Sequence, residues 1–192
     1  MSYERKSMAV AIFAISSMFT MHAQTNNTSI ERLQALVEAS AQRLSLADQV
    51  ALAKWDSGTP VEDAPREASV IAGAVKSGES KDLDPASVAN FFRAQIEANK
   101  IVQYGLLAKW RRAGGPPQHA PVDLVAAIRP QLDRIQLELM TGLAETKAIR
   151  SDPTCKDDIA KAVGKYLVLH KHGIDDLHAI ALDRALAATC AR

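Results

Sequence analysis

Several absences narrow this chain before any motif is read. It holds two cysteines, Cys155 and Cys190, and no Cys-x-x-Cys pair, which excludes a vicinal dithiol redox centre and a cysteine-rich zinc site. The net charge is +1 and no basic block occurs, so the electrostatic footprint of a nucleic-acid-binding protein is missing and no nucleic-acid partner is expected. No apolar run reaches the ~18 residues that read as a membrane span. Also missing are a glycine-rich phosphate loop, a Ser-His-Asp suggestion, an internal repeat and the alternating pattern of a strand. Aromatics are 5% of the chain, while alanine and leucine are abundant. That balance favours an all-helical fold, since strands draw on aromatic and β-branched residues.

What is present begins with a candidate export signal. Arg5 and Lys6 precede an apolar run from Met8 to Met21, and Ala23 offers a cleavage position, although Met21 is larger than the small residue usual there. The alternatives are a membrane anchor or an amphipathic helix. The signal reading makes residues 1–23 a removable leader and 24–192 a single domain, periplasmic or secreted, with no stable membrane insertion after cleavage. In an oxidising compartment an even pair of cysteines reads as a disulfide, the alternative being two buried thiols. Bridging Cys155 and Cys190 would close a loop of about 35 residues, worth up to roughly 4 kcal/mol on a chain-entropy estimate.

The chemistry concentrates between Arg43 and Glu67. Arg43 and Lys54 are eleven residues apart, about three helical turns, so they point the same way. Leu36, Ala47 and Val50 share that stripe, the face an amphipathic helix turns to the core. Cations on such a face are costly without a negative partner, and Asp48 and Asp56 lie off the stripe. A third cation, Arg66, follows the break at Gly58-Thr59-Pro60, flanked by Asp63 and Glu67. One such residue could snorkel to water; three at these spacings point to a pocket for a small anion.

The rest of the chain reads as further helices. The first spans about Ser29 to Trp55, with Ser29 as its cap and Trp55 in a packing role. Asp63 caps the second, with Pro65 in its first turn, and Asp84-Pro85 opens the third. Asn99 and Gln103, four apart, interrupt the third helix's stripe of Phe92, Ile96, Leu106 and Trp110. They are either polar groups satisfied in a bundle or donors aimed into the cation pocket. Lys100 falls elsewhere on the wheel and reads as solvated. After the loop at Gly114-Gly115-Pro116-Pro117, a fourth helix starts at Asp123 or near Pro130. Arg129 precedes that proline, which disfavours helical geometry there, so it marks a kink or a fresh start; Arg134 competes with it as a fourth cation. The fifth helix covers about Thr154–His172 and the sixth about Asp175–Cys190. His170, His172 and His178 read as a solvated helix end; the alternative is a zinc site, but no cysteine or acid completes a recognisable ligand spacing.

The order Arg43, Lys54, Asp63, Arg66, Glu67 resembles the active-site pattern of the all-helical chorismate mutases, and Lys54-Trp55 with Pro60-Val61-Glu62-Asp63 is most similar to the secreted, monofunctional class. The resemblance covers about residues 29–190. It implies an all-α, single six-helix domain with long first, third and fourth helices, a carboxy-terminal disulfide joining the last helices, and a homodimer in which each protomer builds its own site. It implies an isomerase acting on chorismate, a Claisen rearrangement to prephenate with no covalent intermediate, no cofactor and no metal. Arg43, Lys54, Arg66 and Gln103 would be catalytic: Lys54 and Gln103 donating to the ether oxygen, Arg66 near it, Arg43 holding a carboxylate. Asp63, Glu67, Asn99 and Arg129 would bind substrate. The alternative is a periplasmic helical protein that binds an acidic small molecule without turning it over.

Overall fold

A computed structural model describes residues 13–191, with backbone alone over 13–27. The leader expected over residues 1–23 thus lies partly outside the described residues, and from Phe13 its backbone is already helical. All regular structure among the described residues is helical. α1 (Phe13–Ser45) is followed by α2 (Ala47–Ser57). The expected single first helix is therefore divided at Leu46, but Leu46 keeps right-handed helical angles (φ −77°, ψ −15°), and Val50 N donates to its carbonyl at 3.0 Å. The two segments run on without a change of hand. Ser29 lies within α1, because the apolar run before it is helical too.

Short polar devices punctuate the chain. Gly58 closes α2 in the left-handed region (φ 67°), where glycine has no Cβ to clash. Asp63 caps α3 (Ala64–Glu79) by accepting from Arg66 N at 3.1 Å, and Glu67 Oε1 accepts from Asp63 N at 3.3 Å. This reciprocal pair fixes the first turn of α3, where Arg66 sits. Asp84 caps α4 (Pro85–Ala113) through Ser87 N at 2.7 Å. Asp123 accepts from Val125 N and Ala126 N at 2.8 Å each, starting a π-helical turn, Leu124–Ile128, that leads into α5 (Arg129–Glu145). Arg129 takes helical angles (φ −56°, ψ −44°) despite the proline that follows. The widened turn just before it is a distortion of the kind that lets a helix accommodate such a break.

α6 (Lys147–Arg150) is one turn; α7 (Cys155–Leu169) and α8 (Asp176–Leu186) complete the chain. α8 stops short of the expected Cys190. Ala191 N bonds Arg150 O at 2.8 Å, and Cys190 joins Cys155 with Cα atoms 5.9 Å apart, so the tail leaves the helix to be fastened at the head of α7.

α4 is the central element, packed by α2, α3 and α8, while α1 packs on α5, α7 and α8. The main core joins Leu33, Leu36 and Val37 of α1 with Phe91 and Phe92 of α4, Leu139 and Leu143 of α5, and Leu182 of α8. A smaller cluster of Ala51, Val61, Leu107 and Trp110, with Trp55 edge-on to Trp110 at 6.0 Å, anchors the α2–α3 loop. Trp55 thus packs, as its place in the sequence suggested.

Candidate active site

Between these two cores lies a cavity of about 150 Å³. α1 contributes Arg43 and α2 Lys54. Asp63 reaches it from the α2–α3 loop, and Arg66 and Glu67 from α3. α4 supplies Asn99 and Gln103, and α5 supplies Arg129. The structure thus brings together every residue singled out as catalytic or substrate-binding. Arg134 is exposed and pairs with Glu138 at 3.7 Å; it does not line the cavity, whereas Arg129 does. The two acids set aside in the sequence face away: Asp48 meets His178 and Asp56 meets His119, each at 3.0 Å.

Arg43 is the most buried of the cations, 6% exposed, and its Nε has no hydrogen-bond partner among the described residues. Burial first, and then the nearby Arg66, push its pKa down to about 10, with Asp133 acting against them. It still carries its charge near neutral pH. A buried, charged donor without an acceptor is costly, and Arg43 stands in the wall of the cavity. Lys54 Nζ donates to Val61 O at 2.6 Å. Burial also lowers its pKa, opposed by Asp63, Glu67 and Glu62. Arg66 is 4.0 Å from Asp133.

The two amides form a fixed relay. Asn99 Nδ2 donates to Arg43 O at 3.3 Å, and Gln103 Nε2 donates to Asn99 Oδ1 at 2.7 Å. A backbone carbonyl can only accept, so Arg43 O dictates which way Asn99 is turned, and Asn99 then dictates Gln103. One N–H of the Gln103 amide remains for another acceptor.

Three further polar residues line the cavity: Lys100, Asp133 and Gln136. Lys100 is not solvated, as its position on the wheel suggested, but 9% exposed. Its Nζ meets Glu97 at 2.8 Å, Glu62 at 2.9 Å and Glu67 at 3.3 Å. Burial opposes its charge, but the hydrogen bonds it donates to these carboxylates outweigh that and raise the ammonium's pKa above its ordinary value. Asp133 and Gln136 lie four and seven residues after Arg129, a same-face spacing that would have revealed them. The arrangement is rich in fixed donors and holds no pair of nucleophile and base among its lining residues. It suits a small dianion whose charge moves during a reaction needing no covalent step.

Over 183 residues the chain is 32% identical to a secreted chorismate mutase of Mycolicibacterium smegmatis, covering 95% of this chain and 98% of that protein. The chain belongs to the chorismate mutase family. Residues 29–104 match the chorismate mutase type II family profile, a segment that holds every lining residue named above except those of α5. A secreted chorismate mutase of Mycobacterium tuberculosis is 28% identical, with 96% of this chain and 90% of that protein aligned. The crystal structure of a chorismate mutase from Burkholderia phymatum superposes with a TM-score of 0.81 at 42% identity, covering 85% of this chain and 99% of the other. The all-α architecture is therefore that of the family, and its similarity extends beyond the matched segment into α5 and the carboxy-terminal helices.

Proposed function

We propose that this protein is an exported chorismate mutase that rearranges chorismate to prephenate at the cavity between α1–α2, α3, α4 and α5. The observation that carries this reading is the convergence of Arg43, Lys54, Arg66, Arg129 and Gln103 on one small cavity, with a buried Arg43 donor left without a partner among the described residues. Substrate arrives with two carboxylates. Arg43 and Arg129 hold them, and an arginine fork does so through paired hydrogen bonds that orient as well as attract. Asn99 supports a carboxylate, while Asp63 and Glu67 accept from the ring hydroxyl or orient the cations.

Two effects then lower the barrier. The enolpyruvyl side chain is held folded over the ring, which removes the entropic cost of reaching the reactive conformer. Lys54 and Gln103, with Arg66 close by, donate to the ether oxygen as its C–O bond breaks and negative charge develops on it. The electrons move within one molecule, so this chain needs no cofactor for the step.

The relatives' description as secreted, the charged and apolar amino terminus and the Cys155–Cys190 disulfide together support a leader over residues 1–23, a catalytic domain over 24–192 and a periplasmic or extracellular location. Two copies assemble as a homodimer, each with its own site.

The test mixes the purified protein, disulfide intact, with chorismate and follows the loss of its ultraviolet absorbance while prephenate is identified as product. Turnover is expected, with Arg66→Ala reducing kcat/KM by roughly 10²–10³, the scale of losing one preorganised donor. Chorismate bound but unchanged would replace this reading with that of a binding protein.

A further inference from the structure

Outside the residues assigned to the reaction, one polar cluster has geometry that bears directly on it. The α2–α3 loop carries Val61, which lines the cavity, and Glu62 beside it. Val61 is buried in the small core beside Leu107 and Trp110, and its carbonyl is the acceptor for Lys54 Nζ at 2.6 Å. The next side chain, Glu62, is gripped from α4 at both carboxylate oxygens. Lys100 Nζ reaches Oε2 at 2.9 Å, and Tyr104 Oη donates to Oε1 at 2.9 Å. Lys100 also reaches Glu67 Oε2 at 3.3 Å. Glu67 Oε1 in turn accepts from Asp63 N at 3.3 Å. The Lys100 ammonium therefore ties the loop both to α4 and to the start of α3, with Tyr104 as a second α4 contact.

We propose that Glu62 and Lys100 are positioning residues of this enzyme: their clasp sets the α2–α3 loop, and through the Val61 carbonyl it sets where the Lys54 ammonium stands. The inference rests on the mutase reading, in which Lys54 donates to the ether oxygen. A donor displaced by about 1 Å can cost on the order of 100-fold in rate, so a contact that reaches no substrate can still control turnover. Lys100 is 9% exposed and its Nζ meets three carboxylates, which separates the cluster from an isolated surface ion pair, worth little.

The clasp also has a sign that a merely structural contact lacks. Lys54 is faced by Asp63 and Glu67 at the start of α3, by Glu62 on the loop, and by Lys100 on α4. Around the same cavity stand Arg43, Arg66, Arg129 and Asp133. Glu62 favours the charged form of Lys54 and Lys100 disfavours it. Because Lys54 must be protonated to donate, activity falls as pH rises through its pKa. Loss of Glu62 moves that alkaline limb to lower pH; loss of Lys100 moves it to higher pH.

The experiment compares Glu62→Gln, Lys100→Gln and the double variant with wild type, in turnover of chorismate across the alkaline range and in thermal unfolding. Each single variant is expected to lower kcat by roughly 10-fold to 100-fold with KM changed far less. The two limbs shift in opposite directions, and the double variant is no slower than the worse single one. The same two shifts are read without substrate by following the Lys54 side-chain titration by NMR. If wild type turns over no chorismate, the mutase reading fails and the inference with it. If wild type turns over and both variants keep its kcat and its limb, only the clasp is overturned. Limbs moving together alongside a fall in thermal midpoint would also overturn it, reducing the cluster to a structural contact.

Discussion

Gln103 is 4% exposed and its Nε2 is committed to Asn99 in a relay that begins at the Arg43 carbonyl. Some chorismate mutases carry Glu at the matching position, and a carboxyl must be protonated to donate a hydrogen bond, whereas an amide donates at any ordinary pH. The kcat/KM profile of the wild type is accordingly expected to show no loss between pH 5 and 8 that arises from residue 103. Gln103→Glu should introduce one, with activity falling as pH rises through the new carboxyl's pKa. A steep wild-type fall in that window, removed by substitution at 103, would contradict this account. Arg43 and Lys54 were readable in sequence because an eleven-residue interval returns to the same helical face. Lys100 was not, because the acids that draw it inward, Glu62, Glu67 and Glu97, come from the loop, α3 and α4, and two of them meet it only after folding.

α2 and α8 are joined by a histidine. His178 Nε2 lies 3.0 Å from Asp48 of α2, and its Nδ1 lies 2.6 Å from Asp175, the α8 cap. The Asp48 hydrogen bond, reinforced by Asp175 against the effect of burial, raises its pKa to about 9 from an ordinary 6.5. A group whose folded pKa is raised contributes stability that is fully present below its unfolded value and is lost as pH climbs through the folded one. The thermal midpoint of the wild type should therefore fall by a few degrees between pH 6.5 and 9, and His178→Gln should show a smaller fall over the same window. Equal slopes would remove the histidine from the stability of this junction. In sequence this residue looked like part of a solvated helix end, because Asp48 lies far away along the chain. The start signals were partly legible: Asp63 and Asp84 cap the helices they were expected to open, whereas Ser29 lies inside α1. Ends were less so, since α8 stops at Leu186 where the disulfide and Arg150 take over the tail.

Over the whole molecule, helix is what an alanine- and leucine-rich, aromatic-poor chain of this length forms, and the all-α class follows from composition and periodicity. Assembling the site is a tertiary matter. The α1–α2 segments, α3, α4 and α5 each supply part of the cavity wall; the packing of α5 against α1 and α3, and of the π-helical turn before it against α2, brings Arg129 to the residues of the Arg43–Glu67 stretch. Arg129 and Arg134 are five residues apart on α5, and the fold sends one to the cavity and the other to solvent. The measurement that tests the central claim most directly is therefore kcat/KM for chorismate in Arg129→Ala and Arg134→Ala, side by side. A cavity completed by α5 predicts a loss of roughly 10²–10³ for Arg129→Ala and near wild-type turnover for Arg134→Ala. Full activity in Arg129→Ala, or a collapse in Arg134→Ala alone, would contradict it.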